Sequence, residues 1–205
     1  MIPANRLEEF FAFCSRSIYA EPVAEPHITI TNTIVSAMFN QGLLLKGAKV
    51  LDVGCGTGQA LDLFIRGGTD AIGITLGSDD LQTCKDKGLP VHEMDQNNLD
   101  FPDDHFDLVF ARHVLEHSPI PLFTLFEYRR VLRRGGWVYV EVPAPDTFAH
   151  HEWNANHYSV LTPSVWLALF HKAGLVCESY QKMDINLPSG ADVYYNFFLE
   201  KRQES

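Results

Sequence analysis

The sequence predicts an α/β fold with a mostly parallel sheet, and three observations support this prediction. Short apolar runs with strand character alternate with helical segments along residues 49–201. The connections between them are short, and no repeat or low-complexity linker interrupts them. The chain has 205 residues, of which 46% are apolar and 20% charged, so it suits one globular domain. Alternating strands and helices with short connections are typical of helices packed on a parallel sheet.

The individual elements follow from apolar periodicity and from the residues that end each run. Strands are predicted at Lys49–Val53, Ala71–Leu76, Val91–Met94, Phe106–Ala111, Trp137–Val142, Leu175–Met183 and Val193–Lys201. Helices are predicted at Gly58–Ile65, Asp79–Lys87, Pro121 to about Arg134, and Pro163 to just before Gly174. Ser78 and Thr162 precede two of these helices and are expected to cap them, because their hydroxyls can accept from free N–H groups of the first turn.

The domain 1–205 is expected to have two parts. Residues 47–205 form the α/β core, and residues 1–46 form a mostly helical N-terminal extension, since apolar residues recur there at helical spacing. Such an extension either packs on the core or acts as a lid over a ligand pocket. In the second case Tyr19 and His27 would lie near the substrate.

A glycine turn separates the first strand from the first helix of the core. The run VLDVGCGTG at residues 50–58 has glycine at positions 54, 56 and 58. Glycine allows positive φ and lets a ligand lie directly against the backbone. A helix that starts after such a turn presents free N–H groups to that ligand. The turn therefore predicts a nucleotide-like cofactor site.

The spacing of the glycines narrows the class of cofactor. The dinucleotide pattern G-x-G-x-x-G needs its third glycine where Gln59 stands. Asp52, inside the end of the strand, would repel a pyrophosphate, but it suits either a cationic ligand or a role in orienting the turn. The turn therefore favours a nucleoside without a pyrophosphate, and an NAD-dependent reductase is the less favoured alternative.

Charge and composition limit the possible partners. The formal net charge of −10 argues against a nucleic-acid binder. No apolar run approaches the ~20 residues of a membrane span, so no membrane partner is expected. The four cysteines are scattered without a paired motif, which indicates free thiols in a reducing compartment, by default the cytoplasm. The oligomeric state cannot be inferred from these features.

Four segments in the same order resemble one family. Residues 50–58 resemble motif I of the class I S-adenosylmethionine-dependent methyltransferases. NLDFPDDHFDLV at 98–109, HVLEH at 113–117 and RVLRRGG at 130–136 resemble later family segments, with Arg134 in place of the usual proline. The likeness covers most of residues 45–180. It implies a Rossmann-like three-layer sandwich whose seven-stranded sheet is mostly parallel, with the last strand antiparallel.

The resemblance also implies an activity and a cofactor site. The activity is transfer of a methyl group from S-adenosylmethionine to a small-molecule acceptor at O, N or C, which leaves S-adenosylhomocysteine. The implied cofactor-binding residues follow the first four strands and are Asp52, Gly54, Cys55, Gly56, Gly58, Thr75, Leu76, Asp95, Gln96, Asn97, Ala111 and Arg112. Within this set, Asp95 corresponds to the acid that accepts from the adenine amino group.

One residue departs from the family pattern. The family usually has an acid at the end of the second strand, where it binds both ribose hydroxyls, and Thr75 stands there. A hydroxyl cannot provide the charge-assisted pair of hydrogen bonds that a carboxylate provides. Either the ribose contact is weaker, or Asp79 or Asp80 reaches back, or the cofactor is altered. The departure also motivates an alternative function, a methyltransferase-like binding or regulatory module with weak or no cofactor binding.

Histidines are the candidate catalytic residues. A general base is needed only if the acceptor loses a proton as it attacks, and His157 and His113 are the candidates for that role. HVLEH spells the H-x-x-E-H pattern of some zinc proteases, but its place after the fourth strand matches the methyltransferase segment instead. The segment 150–157 holds three histidines and a glutamate, which suit a structural loop, an acceptor pocket or a metal. We expect no metal site.

Overall fold

A computed structural model describes residues 4–14, 25–187 and 190–202. Its strands are β1 (Lys49–Val53), β2 (Asp70–Thr75), β3 (Val91–Glu93), β4 (Phe106–Arg112), β5 (Leu132–Pro143), β6 (Val176–Leu187) and β7 (Gly190–Glu200). They form one sheet in the order β3-β2-β1-β4-β5-β7-β6. β1 to β5 run parallel, whereas β7 is antiparallel to both β5 and β6. The predicted seven-stranded sheet with an antiparallel last strand is confirmed.

Helices cover both faces of the sheet. The described helices are α1 (Ala4–Cys14), α2 (Glu25–Asn40), α3 (Gln59–Arg66), α4 (Ser78–Asp86), α5 (Pro121–Val131) and α6 (Pro163–Lys172). Alternate residues of β4 point to opposite faces. Val109 packs in a core cluster with residues of α5 and α6, whereas Phe110 packs in a second cluster with α2 and α3. The chain therefore forms the three layers that the sequence predicts.

The boundary between α5 and β5 differs from the prediction. The helix ends at Val131 rather than near Arg134, because Leu132 has the extended angles φ −77° and ψ 133°. Leu132 instead pairs with β4 opposite Phe106, and its carbonyl accepts from Lys201 Nζ at 2.6 Å. The pairing of a distant strand and the chain end therefore overrides the local helical pattern.

The predicted helix caps are only partly correct. Ser78 is the first residue of α4 rather than its cap, and Gly77 occupies the cap position. Thr162 does cap α6 and is followed by Pro163 in the first turn. No side-chain cap hydrogen bond is made at the N-terminus of α4 or of α6. Both helices therefore begin without the interaction that the residue types suggested.

The N-terminal extension contacts the core along part of its length. Val35 and Met38 of α2 are buried in the second core cluster, and the ring of Phe39 fills the space where a Cβ on Gly67 would stand. Tyr19 lies outside the described residues. None of the described helices is both long and apolar enough to cross a membrane. Cys55, Cys84 and Cys177 are free thiols, as expected.

Candidate active site

A cavity of about 350 Å³ lies over the carboxyl ends of the parallel strands. β1, β2 and β4 end at its floor, and the first turns of α2 and the end of α1 form part of its wall. In open α/β sheets this edge, where the strand order reverses, is the usual ligand site. We call the part lined by residues 52–57, 75–77, 80 and 95–97 the glycine side.

The opposite part of the cavity contains a group of aromatic side chains. We call it the histidine side and define it by His113, His117, His151, His157 and Tyr194. The five side chains come from the turn after β4, the loop after β5 and the strand β7. The two sides therefore belong to one cavity but derive from different segments of the chain.

The glycine turn gives the glycine side its floor. Gly54 has φ +64°, and a Cβ built on it would lie 2.6 Å from Cγ2 of Val114. Gly56 has φ +51° and nothing stands where its Cβ would be. Both residues line the cavity, and Gly54 in addition leaves the room that Val114 occupies. Gly58 differs, because it does not line the cavity; with φ +85° it precedes α3 and packs against Leu89.

Asp52 lies buried beneath this turn. Its Oδ2 has no hydrogen-bond partner among the described residues, and burial raises the pKa of the carboxyl to about 8. The backbone of Leu61 opposes that shift by bonding to the carboxylate. A buried carboxylate oxygen without a partner favours a cation or a donor above it. This observation fits the ammonium end of S-adenosylmethionine, whose place the resemblance assigns here.

Cys55 ties the turn to the neighbouring strand. Its backbone N–H donates to the carbonyl of Ile74 at 3.0 Å. Its thiol packs where a side chain on Gly73 would stand, and burial, followed by the charge of Asp52, raises its pKa. The thiol therefore stays protonated and acts as packing within the floor of the cavity.

The end of β2 supplies a hydroxyl and, from the next helix, a carboxylate. Thr75 is buried, and its Oγ1 accepts from the backbone N–H of Gly77 at 3.2 Å. Leu76 lines the cavity beside it, and Asp80 lines the cavity from α4, whereas Asp79 does not. Burial, and then the charge of Asp79, raises the pKa of Asp80. Of the two acids considered from sequence, Asp80 is therefore the one placed to replace the missing carboxylate.

The loop after β3 is held rigidly by its own side chains. Asp95 Oδ1 accepts from both the backbone N–H and Nδ2 of Asn97, each at 2.8 Å. Gln96 donates to the carbonyl of Val114 and accepts from Tyr128, each at 2.7 Å. Because Gln96 and Asn97 are buried and bonded within the protein, Asp95 Oδ2 is the oxygen of this loop available to a ligand.

The end of β4 carries a charge that the protein itself neutralises. Nε of Arg112 lies 2.8 Å from Oε1 of Glu141, and its Nη2 lies 3.1 Å from Nδ1 of His27. Glu141 also accepts from Tyr139 at 2.6 Å. Ala111 differs from the expectation, because it is fully buried in the core and does not line the cavity.

His113 faces two carboxylates in a strained backbone position. It has φ +53°, its Nε2 is 2.9 Å from Glu141 and its Nδ1 is 3.7 Å from Glu116. Burial and Arg112 lower the pKa of His113, but the two carboxylates outweigh them and raise it overall. For the acid Glu141 burial acts in the opposite direction and raises the pKa. Contacts with His113, Arg112 and Tyr139 outweigh burial and bring the pKa of Glu141 down to about 2. A raised pKa favours the protonated ring, which has no lone pair, so the two carboxylates make His113 better suited to charge positioning than to proton abstraction.

The remaining histidines are held by their Nδ1 or Nε2 atoms. His157 Nδ1 is 2.9 Å from the carbonyl oxygen of His151, and His151 Nε2 is 2.8 Å from Oδ2 of Asp192. Burial raises the pKa of Asp192, but its bonds with His151 and Tyr194 bring it to about 2. The ring centroid of Tyr194 lies 4.6 Å from that of His113. Tyr194 therefore forms the centre of the histidine side.

Several of these residues were not identified from the sequence. Glu141 could have been found, because it is a charged residue inside the apolar run 137–142. Tyr194 carried no such signal; it reaches the cavity because β7 pairs antiparallel with β5, which sets Tyr194 opposite Pro143. Glu116 and His117 lay in a recognised motif, but their proximity to His157 depends on the tertiary fold.

The fold and the glycine side define a class I S-adenosylmethionine-binding architecture. Residues 32–180 match the family model described as a methyltransferase domain. The chain therefore belongs to the methyltransferase domain family of the class I S-adenosylmethionine-dependent type. The predicted family membership is confirmed, and S-adenosylmethionine is the cofactor of this family.

Individual relatives support the same family. The chain is 27% identical over 145 residues to a ubiquinone biosynthesis O-methyltransferase of Photorhabdus laumondii, covering 67% of this chain and 60% of that protein. It is 38% identical over 103 residues to a phosphatidylethanolamine N-methyltransferase of Cereibacter sphaeroides, covering 46% of this chain and 50% of that protein. The chain therefore spans about half to three fifths of the length of these two relatives.

The fold is also similar to solved structures. The 4+2 cyclase SpnF superposes with a TM-score of 0.73 at 18% identity, covering 92% of this chain and 86% of that one. At this identity the likeness shows the fold alone.

Proposed function

We propose that this chain binds S-adenosylmethionine and transfers its methyl group to an oxygen, nitrogen or carbon atom of a small-molecule acceptor. The observation that carries the proposal is Asp52, a buried carboxylate with an unpartnered oxygen beneath an open glycine turn. The two curated relatives are named for small-molecule and lipid methylation, which supports the acceptor class. The net charge of −10 disfavours nucleic acid as the acceptor.

The glycine side would hold the cofactor through residues with separate tasks. The backbone at Gly54 and Gly56 would lie against the methionine part, above the carboxylate of Asp52. Asp95 Oδ2 would accept from the adenine amino group, since Oδ1 is already used by Asn97. Asp80 would supply the charge-assisted ribose contact that Thr75 cannot supply. When bound, the cofactor supplies an electrophilic methyl group.

The histidine side would orient the acceptor. Orientation alone can supply much of the acceleration of a bimolecular transfer. Where the acceptor must lose a proton, His157 is the proposed base: its Nδ1 donates to a carbonyl, so the neutral ring carries its lone pair on Nε2. His113, held between the carboxylates of Glu116 and Glu141, would position these two charges in the wall of the cavity.

Titration calorimetry with S-adenosylhomocysteine tests the cofactor assignment. Because the pKa of Asp52 is about 8 in the free protein, this carboxyl is mostly protonated at pH 7. A bound ammonium lowers that pKa, so we expect release of close to one proton per ligand, about 0.9 at most at pH 7. Buffers of different ionisation enthalpy measure the release, which should decline to zero above pH 9.

Asp52→Asn is the matched variant, since it keeps the shape of the side chain. It should bind the ligand more weakly and without proton release. Absence of binding at high micromolar ligand would exclude the cofactor assignment. A screen of small-molecule acceptors with radiolabelled methyl donor then tests transfer itself.

A binding or regulatory module is the second candidate function. It is favoured by Thr75, which stands at the ribose position where the family usually has an acid. Binding of S-adenosylhomocysteine without methyl transfer to any acceptor in a broad metabolite panel would support it over the enzyme. Free thiols at Cys55, Cys84 and Cys177 support a reducing compartment, and we propose the cytoplasm.

A further inference from the structure

Three potential metal ligands converge on the histidine side of the cavity. Glu116 and His117 lie in the short 3₁₀ turn after β4, and His157 lies in the loop after β5. One ligand atom from each of them lies within 4.8 Å of the others. Ligands of an ion bound at about 2.1 Å stand roughly 3–4 Å apart. Rotamer adjustments of about an ångström would therefore bring these three atoms around a single ion.

Glu116 provides an independent sign of a missing ligand. Its side chain is only 2% exposed, and Oε1 lies 3.7 Å from Nδ1 of His113. Oε2 is buried and has no hydrogen-bond partner among the described residues. A buried carboxylate oxygen in this state is costly unless a cation or donor meets it. His113 is engaged through Oε1, so Oε2 is left for a further cation.

The two histidines are held in the tautomer that a metal requires. His117 Nδ1 lies 3.1 Å from the carbonyl oxygen of Asn156, and His157 Nδ1 lies 2.9 Å from that of His151. A carbonyl only accepts, so each Nδ1 carries the proton and each neutral ring keeps its lone pair on Nε2. Metal-binding histidines usually have their other ring nitrogen fixed by a carbonyl or carboxylate in this way. Asn154 Nδ2, at 3.3 Å, occupies the position at His157 Nε2 that an ion would take.

We propose that Glu116, His117 and His157 bind a divalent transition-metal ion on the histidine side of the cavity. Two imidazoles and one carboxylate suit Zn²⁺ and its first-row neighbours, whereas Mg²⁺ and Ca²⁺ prefer oxygen ligands. Three protein ligands leave positions open toward the cavity. With an ion bound, Nε2 of His157 is a ligand and cannot also act as the base, so the two roles of His157 are alternatives. If the proposed function holds, an acceptor oxygen would occupy one of the open positions; the metal site itself does not depend on that function.

No single sequence motif contains this ligand set. The histidine-rich segment 150–157 is divided by the fold. His150 stacks on Trp153 at a centroid distance of 4.1 Å, and His151 pairs with Asp192. His157 alone of these three histidines joins Glu116 and His117. The site therefore differs from our expectation of no metal, and it combines residues from two motifs.

Equilibrium dialysis with Zn²⁺ alone, after chelator treatment and without cofactor, tests the proposal. We expect one tightly bound ion per chain in the unmodified protein. Glu116→Gln and His157→Gln should each bind Zn²⁺ at least about 100-fold more weakly. His150→Gln is the matched control, because His150 lies in the same segment with its side chain 48% exposed. It should bind Zn²⁺ like the unmodified protein. Co²⁺ absorption bands should report the same loss in the same two variants.

The outcomes separate this proposal from the proposed function. Equal Zn²⁺ affinity in the unmodified protein, Glu116→Gln and His157→Gln would overturn the metal site, as would no binding in the unmodified protein. Thermal melting shows whether each variant is folded, and His157→Gln serves if Glu116→Gln does not fold. Absence of methyl transfer in the unmodified protein, with Zn²⁺ binding intact, would count against the proposed function alone.

Discussion

The two sides of the cavity are assembled in different ways. The glycine side takes its residues from turns and a helix start that follow β1, β2 and β3, so their order along the chain already groups them. The histidine side takes its residues from the turn after β4, the loop after β5 and the strand β7. Its geometry depends on contacts between distant segments. Under the proposed function, cofactor recognition would therefore depend mostly on turns next to the strands, whereas acceptor recognition would depend on the tertiary fold.

The largest expected effect comes from breaking the glycine side at its turn. Gly54→Ala adds a methyl group at φ +64° and 2.6 Å from Val114. The left-handed conformation costs about 1–2 kcal/mol, and overpacking adds about 1–3 kcal/mol. We expect loss of measurable S-adenosylhomocysteine binding in calorimetry and a lower free energy of unfolding in urea.

Gly135→Ala is the control for that variant. Gly135 has φ +72°, nothing lies within 4 Å of where its Cβ would stand, and it does not line the cavity. Only the conformational cost of about 1–2 kcal/mol should remain, with binding unchanged. Equal losses of binding in both variants would show that the turn has no special role.

The next effect concerns the adenine contact. Asp95→Ala removes the carboxylate that both orders Asn97 and would meet the ligand. A charge-assisted hydrogen bond contributes about 1.5–3 kcal/mol, so S-adenosylhomocysteine should bind about 10- to 100-fold more weakly. Calorimetry measures the change. Asp100→Ala, at an exposed acid of the same loop, should leave the affinity as it is, and an unchanged affinity in Asp95→Ala would refute the assignment.

A smaller effect distinguishes the two neighbouring acids of α4. Asp80→Asn should weaken S-adenosylhomocysteine binding about 3- to 10-fold, because a neutral amide replaces a charge-assisted contact. Asp79→Asn should change it less than about twofold, since Asp79 does not line the cavity. Affinities measured for the two variants side by side decide the matter. Equal effects would show that Asp80 has no particular place at the ribose.

The smallest effect concerns how α2 closes the histidine side. Burial, then His113 and Arg112, lower the pKa of His27 to about 4, against the opposite influence of Glu141 and Asp192. The folded pKa lies below the unfolded value of 6.5, so the neutral ring stabilises docking above pH 6.5. That contribution is lost as the pH falls from 6.5 toward 4.

Amide hydrogen exchange of residues 25–31, corrected for intrinsic rates, measures this docking. We expect exchange about threefold to tenfold faster at pH 4.5 than at pH 7. His27→Gln removes the titrating group and should show no such difference. An identical pH profile in this variant would assign the change to another group.

Much of the fold was predictable because its signals are local. The strand Lys49–Val53 and the glycine turn after it were read correctly from residues that are adjacent in sequence. Leu132 was misassigned, because its extended conformation depends on β4 and on Lys201. Local propensity could not reveal those partners.

The same distinction explains what was missed at the site. Asp80 could only be offered as one of two alternatives, because the direction of α4 relative to β2 decides which acid meets the cavity. Tyr194 and Glu141 are placed by the register between β5 and β7, which no pattern within either strand encodes. Ala111 was expected at the ligand because it follows the family pattern, yet its buried face belongs to the core.

The antiparallel direction of β7 has a consequence for how such an enzyme can change. Because β7 runs against β5, the end of β6 at Leu187 and the start of β7 at Gly190 lie at the same edge as the carboxyl ends of the parallel strands. There Gly190 packs against Phe148 of the loop after β5. Two adjacent loops can thus lengthen or exchange residues while the glycine turn stays intact. New acceptors could be acquired through these loops without redesigning the cofactor site.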